Sequence, residues 1–583
     1  MTAGIEVSNP ASAAGSTTGT GHRDDPLILE SRGWSSLDTA CAAKLLALDS
    51  LINLAPPDPV ASVAYHSRGN VLVIAGDSPG RARDCAEALA ASLPVTLLAD
   101  EPLAPGAYTA WQGKLETLEG YLGEFSATIA QLNGAAQPVP ARFDLVVDFS
   151  REPRLAMRQP PQGYFRAPAG AVELAAVVDE VRSSVGEFEK PKYFAYRENI
   201  CAHSRSQVTG CNACIEICST AAITSDGDHV KVDPHLCMGC GACATVCPSG
   251  AMSYQYPRVA DRGAQVKQLL SAYRHAGGSD ACIVFHNGSD GRDLLAAAAS
   301  RGLGLPARAL PLETWHVAAV GLDLLLPAIA FGASQVVVLA AGSEDPQYLE
   351  AQKLQMAIAQ AILSALGYGG QHFTLIEALD GASLAEAFAR LAPAAAPSTP
   401  ALFLLGNDKR TAIEFAVEHL AKQAPAPVET IALPEGAPFG EIFVERAKCT
   451  MCMACVGACP ESALMDGVDQ PLLKFLERNC VQCGLCEATC PEDAIRLSPR
   501  LLLTPAVREA RVLNETEPFH CVSCGKPFGT RQMVDAMLGR LAGHSMFANE
   551  GALGRLKMCA DCRVVDMMSN KNEASVLRLG ADS

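Results

Sequence analysis

A strongly basic stretch is missing from this 583-residue chain, whose formal net charge is −17. Nucleic-acid binding needs a cationic footprint for the phosphates, so that class of function is disfavoured. Aromatic residues are scarce at 5%, while hydrophobic residues reach 49%, a balance that fits Ala-rich helical and α/β segments. No charged-then-apolar leader opens the chain. Residues 1–26, "MTAGIEVSNPASAAGSTTGTGHRDDP", are polar and small and read as a disordered tail. Long uninterrupted apolar runs are lacking too. The longest candidate, "VAAVGLDLLLPAIAFGASQVVVLAAG" over 317–342, is broken by Asp323, Pro327, Gly332, Ser334 and Gln335. It reads as a buried helix followed by a buried strand, not as a membrane span, and a soluble, cytoplasmic protein is expected.

The glycine signature of dinucleotide binding is incomplete. "AGDSPGR" (75–81) follows a strand and opens a helix, with Asp100 ending the next strand, but the middle glycine of G-x-G-x-x-G is absent. A plain strand-to-helix turn is expected, and a bound flavin or dinucleotide is disfavoured. No nucleophile elbow, Walker loop or other catalytic constellation is found, so no catalytic residue is assigned.

Cysteine, by contrast, is abundant, with 23 residues. Disulfides are not expected without export signals, because the cytosol keeps thiols reduced, and the spacing points to metal. Twenty cysteines fall in five groups; Cys41, Cys85 and Cys282 stand alone in apolar contexts and read as ordinary buried thiols.

"CTMCMACVGACPESAL" supplies Cys449, Cys452, Cys455 and Cys459, and "CVQCGLCEATCPEDAI" supplies Cys480, Cys483, Cys486 and Cys490. Each is the C-x2-C-x2-C-x3-C-P run of bacterial two-cluster 4Fe–4S proteins, in which the fourth cysteine ligates the other cluster. One site therefore takes Cys449, Cys452, Cys455 and Cys490, and its neighbour Cys480, Cys483, Cys486 and Cys459. Two zinc sites are the rival reading, but zinc would not require the doubled eight-cysteine run.

An earlier pair has one regular member, "CMGCGACATVCPSGAM", with Cys237, Cys240, Cys243 and Cys247. Its companion, "ICAHSRSQVTGCNACIEICSTAAI" (200–223), keeps the spacing of Cys211, Cys214 and Cys218 but puts nine residues between Cys201 and Cys211 where two are usual, and Ser219 stands where proline is usual. The same exchange gives Cys237, Cys240, Cys243 and Cys218 for one site, and Cys201, Cys211, Cys214 and Cys247 for the other. The longer gap costs roughly 1 kcal/mol in loop closure, small beside metal-site binding on the order of 10 kcal/mol. An extended, working motif is the expectation; a three-iron or empty site is the alternative. The inserted "AHSRSQVTG" reads either as a solvated surface loop or as a source of donors that tune one cluster. "STAAITSDGDHVKVDPHLC" reads as strand–turn–strand, with "DGD" as the turn.

The fifth group pairs Cys521 and Cys524 with Cys559 and Cys562. Two C-x2-C knuckles read as one tetrahedral structural zinc site, with mononuclear iron or a fifth iron–sulfur cluster as alternatives. A helix is expected between the knuckles, on Met533, Met537, Leu538 and Leu541.

The fold class expected is multidomain α/β plus α+β. After the tail come a helical segment (36–54, capped by Ser36 or Asp38) and a Rossmann-like α/β domain over 27–185, with strands in 70–76, 94–100 and 143–149. A ferredoxin-like module follows over 186–258. A second α/β domain covers 259–440, with strands in 281–287, 334–342, 372–378 and 401–407, a helix near 347–367 and a Pro/Ala linker over 392–400. A second ferredoxin-like module covers 441–500, and a zinc-ribbon-like four-cysteine segment covers 501–583.

The sixteen cysteines of the four runs resemble the doubled 4Fe–4S ferredoxin family. "GEFEKPKYFAYRENICAHSRSQVTGCNACIEIC", "CVSCGKPFGTRQMVDAML" and "CADCRVVDMM" resemble large bacterial multi-cluster proteins found beside formate dehydrogenases. "ETWHVAAVGLDLLLPAIAFGASQVVVLAAG" is loosely similar to the delta subunit of methyl-viologen-reducing hydrogenases, but lacks that family's cysteines there. These resemblances imply an iron–sulfur protein with four 4Fe–4S clusters, relaying electrons between a dehydrogenase (formate dehydrogenase being the candidate) and an acceptor. It would be a non-catalytic subunit of an oxidoreductase system. An accessory protein for metalloenzyme maturation and a flavin- or nucleotide-dependent redox enzyme are the alternatives.

Overall fold

The structure is a computed structural model and describes residues 39–155, 157–167, 173–467, 470–544 and 550–569. The N-terminal tail and the cap at Ser36 or Asp38 lie outside the described residues. Contacts divide the chain into two compact units. Of the described residues, one unit comprises those up to 197, 213–226 and 230–425; the other comprises 198–212, 227–229 and those from 426 onward.

In the first unit, the apolar runs Val71–Ile74, Val95–Ala99 and Leu145–Asp148 are buried along their whole length, as strands covered on both faces must be. They form a parallel five-stranded sheet in the order Thr109–Gln112, Val95–Ala99, Val71–Ile74, Leu145–Asp148, Tyr164–Arg166. The order reverses between Val71–Ile74 and Leu145–Asp148, where doubly wound folds place their ligands. Here the segments that follow those two strands approach each other closely. A Cβ on Gly76, which has φ +47°, would lie 2.5 Å from the Ser150 backbone. The glycine thus accommodates a close approach of backbone to backbone, and the helix Pro79–Ala90 follows it.

A second parallel sheet orders Ala309–Thr314, Cys282–Asn287, Gln335–Ala340 and Phe373–Glu377. The long apolar run resolves into the buried helix Leu322–Ala330 and the buried strand Gln335–Ala340, and no described helix is long and apolar enough to cross a membrane. The strand expected in 401–407 does not form. That segment is extended without a ladder, and the Lys267 ammonium takes the carbonyls of Leu402 and Phe403 at 2.6 and 2.9 Å. Leu402 and Leu404 are exposed, so alternation there arises without a partner strand. The Pro/Ala stretch is fastened, not free: the Ser334 hydroxyl exchanges hydrogen bonds with Ala394 N and O, each 2.9 Å.

The second unit is antiparallel. Ile495–Leu502 pairs with both Gly440–Val444 and Thr430–Ala432, and Leu472–Phe475 lies between Leu464–Asp466 and Arg511–Glu515. The helix expected between the C-terminal knuckles spans Arg531–Leu541, and the Thr530 hydroxyl caps it by accepting from Met533 N.

Candidate functional site

The regular cysteine runs share a backbone device. The residues on either side of the second cysteine sit in the left-handed region: Gly239 and Gly241 around Cys240, Met451 and Met453 around Cys452, Gln482 and Gly484 around Cys483. Two left-handed residues curl the loop so that three thiols converge, and a short helix then leads to the fourth cysteine. A further left-handed residue stands three positions after each fourth cysteine, at Ala221, Gly250, Ser462 and Asp493. After Cys459 and Cys490 this turn aims a backbone amide at the thiol, Ala463 N to Cys459 Sγ at 3.2 Å and Ala494 N to Cys490 Sγ at 3.4 Å.

The structure brings the predicted groups together unequally. Cys218, Cys237, Cys240 and Cys243 line one cavity of the first unit, with Tyr193, Tyr254 and Tyr348 in its walls. Cys449, Cys452, Cys455 and Cys490 line a second cavity, and Cys459, Cys480, Cys483 and Cys486 a third, both in the second unit. The fourth group is divided: Cys201 and Cys211 belong to the second unit, Cys214 and Cys247 to the first.

Burial drives some of the thiols in these cavities away from ionisation. It pushes Cys240 up to about 11, and Cys455 and Cys483 up to about 12, with neighbouring cysteines adding to the rise. Cys243 and Cys486 are raised by the same causes. Four thiolates gather in such a place only around cationic metal, which is the chemistry these donor sets fit.

The stretched motif lacks the left-handed pair, since neither Gly210 nor Asn212 has positive φ. Its insertion is a β-hairpin, Ser204–Arg205 against Val208–Thr209. Ser206 (φ 51°) and Gln207 (φ 68°) occupy the two central positions of the turn, as a type I′ hairpin requires. Ladder bonds continue to its base, Gly210 N to His203 O at 2.8 Å and Cys211 N to Ala202 O at 2.9 Å. The nine intervening residues are therefore closed by hydrogen bonds. His203 and Ser204 are buried, and Asp228 accepts from the Ser204 hydroxyl and Ser206 N at 3.1 and 3.2 Å, so the solvated-loop reading fails for this part of the insertion.

Ser219, the departure from proline, has a role that the sequence did not disclose. It donates to Asp345 and accepts from Gln347 Nε2 at 2.8 Å, tying the turn after Cys218 to the start of the helix Pro346–Ala365. From that helix the Tyr348 hydroxyl reaches Cys240. Sequence reasoning also missed two buried lysines. Lys190 donates to the carbonyls of His235 and Cys237 at 2.6 and 2.8 Å. Lys409 donates to those of Ala244, Thr245 and Cys247 at 2.8, 2.6 and 3.0 Å. Neither lies in a motif, and only the fold brings them to the cysteine loops.

At the C-terminal end, the sulfurs of Cys521, Cys524, Cys559 and Cys562 all lie within 4.8 Å of one another. Cys559 N donates to Cys521 Sγ at 3.3 Å. Burial opposes ionisation of Cys521, but amides of Cys559, Cys524 and Ser523 outweigh it and hold the thiol down at about 6. Four sulfurs at this separation could hold a metal ion.

Two segments match the family described as the 4Fe-4S dicluster domain, residues 209–251 and 448–495. No curated protein matches the chain. The protein thus carries two ferredoxin-type iron–sulfur domains in a mixed α/β framework, with a further four-cysteine site near its C-terminus. Such domains serve electron transfer.

Proposed function

We propose that this chain is an electron-transfer protein with four 4Fe–4S clusters, relaying electrons between a dehydrogenase and a separate acceptor. The ligand sets are Cys218/Cys237/Cys240/Cys243, Cys201/Cys211/Cys214/Cys247, Cys449/Cys452/Cys455/Cys490 and Cys459/Cys480/Cys483/Cys486. The observation that carries the reading is the exchange pattern in the cavities: each gathers three cysteines of one run and the fourth of its companion run. Iron–sulfur clusters supply reversible one-electron storage; the protein supplies thiolates, amide donors and burial, which set the potentials.

The C-terminal site is proposed as structural zinc. A tetrahedron with Zn–S bonds of about 2.3 Å has S···S edges of about 3.8 Å, and Cys524 Sγ and Cys559 Sγ stand 3.7 Å apart. The dehydrogenase is proposed to be a formate dehydrogenase, on the resemblance of the sequence around Cys201 and Cys521.

The test is anaerobic purification with iron, acid-labile sulfide and zinc counted per chain, followed by reduction with formate and a formate dehydrogenase. About sixteen iron, sixteen sulfide and one zinc, with bleaching of the clusters by formate, is the expected result. About twelve iron would remove the Cys201 site, and clusters bleached by dithionite but not by formate would remove the proposed donor.

A further inference from the structure

The three regular runs differ at the left-handed residue just before the second cysteine, which is Gly239, Met451 or Gln482. Within the second unit this position sets two otherwise similar loops apart. Met451 has φ 56° and Gln482 has φ 53°, so the backbone is the same and only the side chain changes. Met451 is 2% exposed and belongs to the buried apolar cluster that includes Ile442, Leu473 and Ile495. A thioether has no hydrogen to donate. Gln482 instead lines the cavity of Cys459, Cys480, Cys483 and Cys486. Its side-chain Nε2 donates to Cys480 Sγ at 3.3 Å and to Glu441 O at 3.1 Å.

Those two bonds decide which end of the amide faces the sulfur. A backbone carbonyl can only accept, so the NH2 end must face Glu441 O, and its second hydrogen is left for Cys480. The other end, Oε1, is buried and has no hydrogen-bond partner among the described residues. Room for the amide comes from Gly440, where a Cβ would lie 2.6 Å from Gln482 Cδ and 2.4 Å from Ser498 O. Glycine is needed there for the close approach of the amide and the paired strand. Glu441, whose carbonyl aims the amide, is itself anchored by Arg500 and Arg511. Strand, glycine and ion pairs thus hold one donor on one ligand thiol.

We propose that Gln482 is the potential-setting residue of the site formed by Cys459, Cys480, Cys483 and Cys486, its amide holding that site at a higher reduction potential than thiolates and backbone alone would give. A donor at a ligand sulfur favours the reduced, more negative state. The backbone amides on the fourth cysteines do not distinguish the two sites of this domain, because both have one, at 3.2 and 3.4 Å. Gln482 does, because Met451 at the matching position donates nothing. Reduction adds one electron, supplied by the donor of the proposed relay, with no bond made or broken and no proton taken from the neutral amide. The inference rests on the reading of these cavities as 4Fe–4S sites, and deepens it by naming a side chain that makes an electron dwell at one of them.

The test uses the full chain, loaded anaerobically, unmodified and as Gln482→Met, a residue that the matching loop already carries in the same left-handed conformation. Every ligand cysteine stays in place. Iron and sulfide are counted first, and both chains are then titrated reductively with mediators while EPR follows each component. One component is expected to move in Gln482→Met, its reduction equilibrium falling by up to tenfold, about 59 mV for one electron. The other components and the iron content are expected to stay as they were. A fully loaded variant whose components all match the unmodified chain would overturn the inference. If the variant loses iron, the unmodified chain decides alone. It is grown with an isotopic label on the glutamine side-chain amide nitrogen, reduced stepwise and examined by pulsed EPR. A coupling to that nitrogen at a cluster supports the inference, and its absence at every step overturns it. About twelve iron instead of sixteen would overturn the four-cluster count, while a component that still responds to Gln482→Met would uphold the role of Gln482; if none responds, both fall.

Discussion

Around Cys237 and Cys247 in the first unit, the cysteine loops are held by single buried cations: the Lys190 and Lys409 ammonium groups cap backbone carbonyls. The Tyr348 hydroxyl adds a donor at Cys240. In the second unit the corresponding work is done by a balanced network, in which Arg500 and Arg511 each bridge Glu441 and Glu477 at 2.5–2.9 Å. Nearly the same cysteine motif thus has buried ammonium groups on its loop carbonyls in one unit and an Arg–Glu network beside it in the other. A cation or donor near the sulfurs favours the reduced, more negative state and raises the potential. The two domains therefore differ in the groups around their cysteine loops although their motifs match. On that basis a higher potential is expected at the Cys237/Cys240/Cys243 loop, and the two units should have different weaknesses.

The largest effect should come from breaking the Arg–Glu network. Glu477 is 5% exposed; burial opposes its ionisation, but hydrogen bonds from Arg500 and Arg511 outweigh that and hold its carboxyl below the usual range. Glu477→Ala leaves two guanidiniums sharing one carboxylate and should destabilise the second unit by about 3–5 kcal/mol, read as loss of its transition in denaturant melts. The sign of the pH dependence follows from the depressed pKa. The Glu477 contribution is complete above the ordinary carboxylate pKa and is lost as pH falls through its lower folded value.

The first unit should yield to acid earlier, through His316. Burial holds its imidazole down at about 4 against an ordinary 6.5; it accepts from Ala318 N at 3.0 Å and packs edge-on against Tyr348. Below 6.5 the unfolded chain takes up the proton first, so stability declines as pH falls from 6.5 and levels off below 4, a loss of about 3 kcal/mol. Melts of the full chain from pH 7 to 4 should show the first unit weakening before the second. His316→Gln, which keeps an acceptor without the titration, should remove that early loss. Simultaneous weakening of both units would break the comparison.

How far the sequence reached can be judged residue by residue. Strands such as Val71–Ile74 and Gln335–Ala340 were legible because continuous burial leaves a continuous apolar run. The cysteine loops were legible because metal ligation fixes spacing. The 401–407 segment misled because apolar alternation does not reveal whether a neighbouring strand exists, and here a lysine takes the carbonyls. The hairpin at 204–209 was invisible because Ser206 and Gln207 are not the usual left-handed turn residues. Lys190, Lys409, Ser219 and Tyr348 act on the loops from positions distant in the chain, and no local pattern encodes that.

A smaller effect would sharpen the electrostatic side. Tyr348→Phe keeps the ring that packs with Ile217, Ala242 and Ala318 but removes the hydroxyl at Cys240. Anaerobic redox titration followed by EPR should show the potential of that one site falling by less than about 60 mV, the one-electron equivalent of a tenfold shift, with iron content and melting unchanged. A potential that does not move would leave Lys190 and Lys409 as the remaining source of any difference between the domains.

The smallest change concerns what the two domains share. Ala221 sits three residues after Cys218 with φ 49°, and its amide returns to Cys218 O at 3.3 Å. Gly250, Ser462 and Asp493 hold the same position in the other runs. An alanine in the left-handed region pays for Cβ crowding that glycine avoids, and Ala221 is exposed, so no packing is lost on substitution. Ala221→Gly should therefore stabilise the first unit, by at most about 1 kcal/mol after the extra chain entropy of glycine is set against the relieved strain. The change should appear as a slightly raised melting temperature with unchanged cluster spectra. A fall in stability would show that the turn after Cys218 is set by its Ser219 ties to Asp345 and Gln347, and not by the backbone device common to all four runs.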